Sequence, residues 1–350
     1  MTTSRALVLE PDANRRIQEF SVPTVPEDGL LLKVELARIT QRDKAVLSWE
    51  KLTAAVIPGC IALGYVQAVG QKAASFYEVK TGDRVVVEPF TTCYRCKPCL
   101  TAKRRLCAHK RWYGAGFSLT EHPGLGGAYS EYMYVRPGSR VHKVPDSWDE
   151  RAAVLLPEAI WVFDALFEVG KAGLGKGILI DAPTVPGLLA AALARESGLQ
   201  PIVMNCDDTN KDLATRMGAL RVFLRGEKVE DLPENMPAPD LFLVTSCDAR
   251  TFTSGVKALV PGGTVVVVDT VDGVPKEIFQ YGMKKEIAFK SISGPSWDVK
   301  GARNLLEKRQ YAFAALVTHV LSLNDLLGTK WADKWDWACV SPGAPLKGRA

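Results

Sequence analysis

The chain has 350 residues, of which 47% are hydrophobic and 24% charged, with 44 Lys and Arg against 39 Asp and Glu. That length exceeds what one hydrophobic core usually organises, so two lobes are expected, and the composition excludes both a small single module and wholesale disorder. The formal charge of +5 is interspersed along the chain without a basic block, too mild a balance to point to nucleic acid or an anionic membrane.

Up to about residue 150 the sequence reads as short strands punctuated by Gly, Pro, Asp and Lys: LLLKVEL at 30–36, GYVQAV at 64–69, GDRVVVEP at 82–89 and AYSEYMYV at 128–135. This predicts an all-β lobe, a small irregular barrel. At 151–169 the apolar residues recur at helical spacing, with Pro157 expected to kink or delay the helix. From Gly177 onward apolar strands alternate with helical stretches: ILIDA then GLLAAALARESG, PIVMNC then NKDLATRMGA, RVFLR, DLFLVTS then TFTSGVKALVPGG, and TVVVVDT. Continuous apolar strands alternating with helices predict a parallel, doubly wound sheet covered on both faces. After about Ser291 a helix is expected near 299–315, and the tail with Trp331, Trp335 and Trp337 is expected to return to the first lobe. The expected partition is therefore 1–155 together with 296–350, and 156–295. No internal repeat or low-complexity segment is read.

Four of the eight cysteines, Cys93, Cys96, Cys99 and Cys107, fall within fifteen residues. The opening MTTSRALVLEPD has no apolar run behind a basic start, and no window is apolar for about eighteen residues, so a cytoplasmic, reducing location is expected. There, clustered cysteines point to metal rather than disulfides. The spacing C-x2-C-x2-C-x7-C brings four soft thiolates to one tetrahedral ion, and a closed four-sulfur site suits one structural Zn²⁺ per chain, which folds a loop and takes no part in chemistry. Lys97, Lys103, Arg104 and Arg105 are read as offsetting the thiolate charge. An iron–sulfur cluster uses the same ligand type and stays open as the alternative.

The order of strand-rich lobe, four-cysteine loop, GGAYSEYMYV strand, helix and βα units resembles the medium-chain dehydrogenase/reductase superfamily, the zinc-type alcohol dehydrogenases. IPGCIALGYVQAVG, GDRVVVEP and ALVPGGTVVVVD carry the resemblance most specifically. It implies an α/β fold with a GroES-like β-rich catalytic domain (1–155 and 296–350), a Rossmann nicotinamide-binding domain (156–295), an active site in the cleft between them, and a homodimer or homotetramer. Neither nucleic acid nor membrane is expected as a partner; a small-molecule substrate is.

Several positions depart from the family pattern. Where a catalytic zinc ligand would open a CGTD-like motif the chain has TQRD, so Thr40 replaces the Cys, Arg42 replaces the relaying hydroxyl, and Asp43 keeps the acid. PGHE becomes PGCI, with Cys60 for His and Ile61 for Glu, and the last ligand position offers Pro157 then Glu158. A hydroxyl and an isoleucine cannot hold a divalent ion, so loss of the catalytic zinc is expected; a site rebuilt from Cys60, Asp43 and Glu158 is the alternative. Plainer roles are weighed beside these: Cys60 as a small buried hydrophobe, Glu158 at a helix start for its dipole, Thr40 with Asp43 as a structural turn pair, and Arg42 as that aspartate's partner.

In the cofactor turn, the GxGxxG pattern is matched by Ala182, Pro183, Thr184, Val185, Pro186 and Gly187, which retains only the third glycine. Thr184 is read as a possible phosphate donor. Asn205 stands where an acid would hold the ribose 2′-hydroxyl, with Lys211 as a countercharge and Asp207 and Asp208 opposing a 2′-phosphate, which leaves NAD(H) and NADP(H) both open. Thr245 and Asp269, after the following strands, complete the cofactor candidates. Trp49, Trp112, Tyr113, Trp161 and Trp297 are candidates for the cleft wall, although each is more often core. The histidines form no recognisable constellation. Cys206, Cys247 and Cys339 are expected in or near core strands.

Without zinc, reduction of a simple ketone loses the metal that stabilises its full alkoxide charge, whereas conjugate reduction delocalises that charge so that hydrogen-bond donors suffice. The expected activity is NAD(P)H-dependent reduction of an activated C=C or C=N in a small organic substrate, with Thr40, Arg42 and Cys60 at the reactive end. The alternatives are an alcohol dehydrogenase with a rebuilt zinc, and a non-redox or non-catalytic protein on the same scaffold.

Overall fold

The computed structural model describes residues 2–48, 52–229, 232, 236–269, 271–295, 299–328 and 335–343. Trp49, Trp297 and Trp331 therefore lie outside the described residues. The chain divides into two compact units, Met1–Pro157 with Phe313–Ala350, and Glu158–Ala312.

The first unit is built on a seven-stranded, largely antiparallel sheet in the order His319–Leu321, Ala338–Val340, Leu30–Arg38, Ile61–Val69, Arg84–Val87, Val141–Lys143, with Tyr132–Val135 pairing the first half of Leu30–Arg38. The tail thus joins this sheet, as its tryptophans suggested. Arg38, fully buried, fastens it there: its guanidinium donates to the Ala338 carbonyl at 2.9 Å and pairs with Asp336 at 3.4 Å. Return to this unit comes at Phe313 and not near 296, because the helix Lys300–Ala314 starts on the second unit. Gly301 there lies so close to Phe163 that an added Cβ would stand 2.3 Å from ring Cζ, and Arg309 reaches Glu196 at 3.1 Å.

Buried charge anchors the cysteine loop to the sheet. Glu88, just past Arg84–Val87, is fully buried, accepts from the Arg104 guanidinium, bonds His142 Nε2 at 2.8 Å and has Arg140 at 3.8 Å. Burial works against the Glu88 carboxylate, yet the His142 bond and the Arg104 and Arg140 charges outweigh it and hold its pKa below the usual carboxylate value.

Helical periodicity at 151–169 resolves into three pieces: Glu150–Ala153, Leu156–Phe163, and a wider π-type stretch Asp164–Val169. Pro157 sits in the first turn of the second piece, where its missing N–H costs nothing, so it starts a helix instead of kinking one.

The second unit carries six parallel strands ordered Arg221–Leu224, Gln200–Cys206, Gly177–Asp181, Pro239–Val244, Thr264–Val267, Ala288–Ser291. In chain order that is 3-2-1-4-5-6, the doubly wound arrangement whose ligand crevice opens at the carboxyl ends where the order reverses, between Gly177–Asp181 and Pro239–Val244. Gly187, in the first turn of the helix Val185–Glu196, lets that helix lie on the strand end: a Cβ there would stand 2.5 Å from Ala182 Cα. Asp181 ties three strand ends together from complete burial, accepting from Asn205 Nδ2 and from the Ser246 amide, both at 3.0 Å.

Two outcomes follow from these buried carboxyls. Glu88→Gln leaves the Arg104 charge buried and uncompensated, which is expected to cost about 3–5 kcal/mol, read as a lowered denaturation midpoint with an unchanged slope. Asp181 has its pKa pushed up to about 7, chiefly by burial. Folding thus favours its protonated form, so its contribution to stability is full below the unfolded-state pKa and is lost as pH rises towards about 7. The melting temperature of Asp181→Asn relative to the parent should therefore rise between about pH 4 and 7 and level off above; a difference independent of pH contradicts this.

Candidate functional site

The antiparallel register pairs Arg38 with Ile61, which sets Thr40 and Cys60 side by side at one end of the sheet. Gly59 makes the approach possible. Its φ is +94°, and a Cβ there would stand 2.6 Å from the Tyr129 ring. Thr40 precedes the helix Gln41–Ser48, and Asp43 lies in that helix's first turn. Asp43 Oδ2 accepts from the Thr40 amide at 2.9 Å and from Thr40 Oγ1 at 2.6 Å, while the Asp43 amide donates to Thr40 Oγ1 at 3.3 Å. This is a capping box, the reciprocal bonding that satisfies first-turn amides. The Cys60 thiol donates to the same Asp43 Oδ2 at 3.4 Å and lies 3.4 Å from Thr40 Oγ1.

Burial raises the Asp43 pKa, although the bonds from Thr40 and Cys60 and the charge of Arg42 favour its carboxylate. The Cys60 thiol is pushed well above its usual value, first by burial and then by Asp43's negative charge, so it keeps its proton. Arg42 stacks over Trp112 with 4.8 Å between its guanidinium carbon and the ring centroid. Tyr129 is fully buried, and its hydroxyl has no hydrogen-bond partner among the described residues. Within this unit the positions of a second metal offer one protonated thiol and one carboxylate whose Oδ2 already takes three hydrogen bonds. A catalytic zinc takes three protein ligands, and this donor set does not fit it.

Cys93, Cys96, Cys99 and Cys107 do converge. Their sulfurs lie within 4.8 Å of one another, with Cys96 to Cys99 at 3.5 Å, Cys96 to Cys107 at 3.8 Å and Cys93 to Cys107 at 3.6 Å. Zn–S bonds of about 2.3 Å at tetrahedral angles separate sulfurs by about 3.8 Å, so this quartet fits the ion. Among the described residues it is the one close-set group of three or more Cys, His, Asp or Glu ligands. Arg104, expected to offset thiolate charge, serves Glu88 and lies over the Phe90 ring at 5.0 Å.

In the second unit Thr184 caps the helix Val185–Glu196, its Oγ1 accepting from the Gly187 amide at 3.4 Å and bonding Thr245 Oγ1 at 2.8 Å. Thr245 Oγ1 in turn donates to the Asp181 carbonyl at 2.8 Å. The Thr184 hydroxyl expected to meet phosphate is thus engaged within the fold. Two of the three first-turn amides are likewise committed or missing, since Gly187's serves Thr184 and Pro186 has none. Ala182 is buried beneath Gly187. Asn205 adopts φ +64°, a left-handed conformation that Asn tolerates. Its Nδ2 is held by Asp181, and its Oδ1 accepts from Arg225 Nε at 3.3 Å. Asp207 caps the helix Asp208–Arg216 in a reciprocal box with Asn210. Lys211 is exposed on that helix, and Asp269 is half-buried beyond Thr264–Val267.

Elsewhere, Glu158 is buried in the first turn of Leu156–Phe163, a place that suits its charge. Tyr113 is core and no cleft wall, with its hydroxyl 2.6 Å from Ser139 Oγ. Trp161 donates to the Ile292 carbonyl at 3.3 Å. Cys206, Cys247 and Cys339 are buried in strands, as expected. Sequence reasoning passed over Asp181, Ser246, Tyr129 and Arg225. Only Arg225 left a signal, as a basic residue closing the RVFLR strand.

Residues 26–146 match the alcohol dehydrogenase GroES-like domain. A probable alcohol dehydrogenase of Mycobacterium tuberculosis is 28% identical over 352 residues, covering 93% of this chain and 94% of that protein. Two solved structures share the fold, both with a TM-score of 0.82. One is an alcohol dehydrogenase from Escherichia coli complexed with NADH, 20% identical, covering 97% of this chain and 99% of that one. The other is a putative zinc-binding dehydrogenase from Sinorhizobium meliloti bound to NADP, 21% identical, covering 98% and 100%. Residues 26–146 thus form a GroES-like domain of the alcohol dehydrogenase type, and over nearly its whole length, with its 3-2-1-4-5-6 sheet, the chain is similar to the medium-chain dehydrogenases.

Proposed function

We propose that this oxidoreductase uses a nicotinamide dinucleotide and no catalytic zinc, reducing an activated C=C or C=N of a small organic substrate, with one structural zinc in the cysteine quartet. The observation that supports this reading is the fate of the metal-ligand positions. Thr40 closes a helix with Asp43, and Cys60, a protonated thiol, bonds the same carboxylate oxygen.

The dinucleotide, when bound, supplies the hydride. The chain's part is to hold protons and shape the pocket. Thr40 keeps its proton at Oγ1 and Cys60 at Sγ, both turned to Asp43 Oδ2, so that this end of the domain holds a protonated, metal-free cluster where a zinc enzyme presents a Lewis acid. Without a Lewis acid, charge spread over an enolate or enamine is tolerated better than a localised alkoxide, which is why an activated double bond is preferred to a simple ketone. Arg42, stacked on Trp112 next to Asp43, keeps a positive charge beside the cluster.

Metal analysis of the purified protein is expected to give one zinc per chain, lost together with thermal stability in Cys107→Ser; two zincs per chain would restore the rebuilt-site dehydrogenase. NAD(P)H oxidation should proceed with enones, enals or iminium compounds and fall by about 100-fold in Thr40→Val, with folding checked by circular dichroism. Turnover confined to simple alcohols and ketones overturns the reading.

A further inference from the structure

The nicotinamide reading leaves the two dinucleotides open, and the ends of the first three strands of the parallel sheet discriminate between them. We infer that Arg225, held against Asn205, makes the adenosine end of the site selective for the 2′-phosphorylated dinucleotide, NADP(H). This rests on the dinucleotide reading above and deepens it.

Three features carry the inference. First, the place where a carboxylate would accept the ribose hydroxyl holds an amide, and that amide has a fixed orientation. Asp181 Oδ1 accepts from Asn205 Nδ2 at 3.0 Å, so Asn205 Oδ1 faces the other way and accepts from Arg225 Nε at 3.3 Å. The three residues lie at the carboxyl ends of Gly177–Asp181, Gln200–Cys206 and Arg221–Leu224, the side on which a doubly wound sheet binds its ligand.

Second, the guanidinium is positioned, and among the described residues no carboxylate pairs with it. Its side-chain bond goes to a neutral amide, its own amide donates to the Cys206 carbonyl at 2.7 Å, and the residue is exposed, with a guanidinium whose fork suits a phosphate. Third, the carboxylates of two described neighbours are bonded to backbone amides. Asp207 caps its helix onto the Asn210 amide at 2.9 Å, and Glu227 Oε2 accepts from the Leu224 amide at 2.6 Å. Asp208 is exposed in the first helical turn, and Lys211 on the same helix adds a positive charge.

The test is direct binding, followed by quenching of protein fluorescence and by calorimetry, with NADPH, NADH, 2′,5′-ADP and 5′-AMP. The parent should bind NADPH and 2′,5′-ADP more tightly than NADH and 5′-AMP by about 10- to 100-fold, the range of one or two hydrogen bonds to a charged group. Arg225→Gln should abolish that preference, whereas Arg225→Lys, which keeps the charge without the fork, should recover part of it. Equal or tighter binding of NADH by the parent, or an unchanged preference in Arg225→Gln, overturns the inference while the dinucleotide reading stands. Binding of neither dinucleotide overturns both.

Discussion

A buried carboxyl group at the end of the first parallel strand organises the second unit. Asp181 receives the side chain of Asn205 on one flank and the backbone of Ser246 on the other, and its carbonyl accepts from Thr245, which bonds the helix cap Thr184. Two neighbouring strands and the start of the helix Val185–Glu196 are therefore referenced to one residue. A carboxyl in that position is costly, since nothing of opposite charge compensates it, and its pKa near 7 is the sign of that cost. What is gained is a fixed geometry at the point where the strand order reverses, the place at which an α/β sheet of this kind binds its ligand.

The first unit meets the same problem differently. Glu88 and Arg104 are both fully buried, but as a pair with His142 and Arg140 close by, so the charge is compensated and the carboxylate stays ionised. That pair joins the cysteine loop to the sheet independently of any metal. The Thr40, Asp43 and Cys60 cluster lacks such a cation in its hydrogen bonds and is held by neutral donors around one carboxylate oxygen. A zinc ion would have to displace those donors and deprotonate a thiol whose pKa burial and Asp43 have raised. Thr40 and Asp43 thus form a helix cap with the Cys60 thiol bonded to it.

Much of this was legible in the sequence, for identifiable reasons. Period-two and continuous apolar runs mark strands whatever their neighbours, so LLLKVEL, ILIDA and DLFLVTS sit in strands as read. The cysteine spacing encodes its own convergence because all four ligands lie on one short loop. Less legible were features that depend on partners distant in the chain. Arg104 looked like a countercharge for the thiolates until Glu88, sixteen residues earlier, claimed it. Tyr113 looked like a cleft residue until Ser139 accounted for its hydroxyl. The extent of the second unit was misjudged because nothing in the helix Lys300–Ala314 itself announces that Phe163 and Glu196 are its neighbours.

The cofactor turn shows how a weakened motif and a fixed side chain bear on each other. Glycines in such a turn let backbone amides meet a pyrophosphate, and here Pro186 has no amide proton while Thr184 occupies that of Gly187. Fewer amide contacts at the centre of a dinucleotide shift the burden of binding to its ends. On the proposed reading the adenosine end meets an amide, Asn205, bonded to Asp181 on one side and to the Arg225 guanidinium on the other. A phosphate at that end, met by a forked cation, supplies charge-assisted bonds of the kind the turn has given up. On that reading, Arg225 at the adenosine end offsets the backbone amides that the turn does not offer, so the two features bear on one binding free energy.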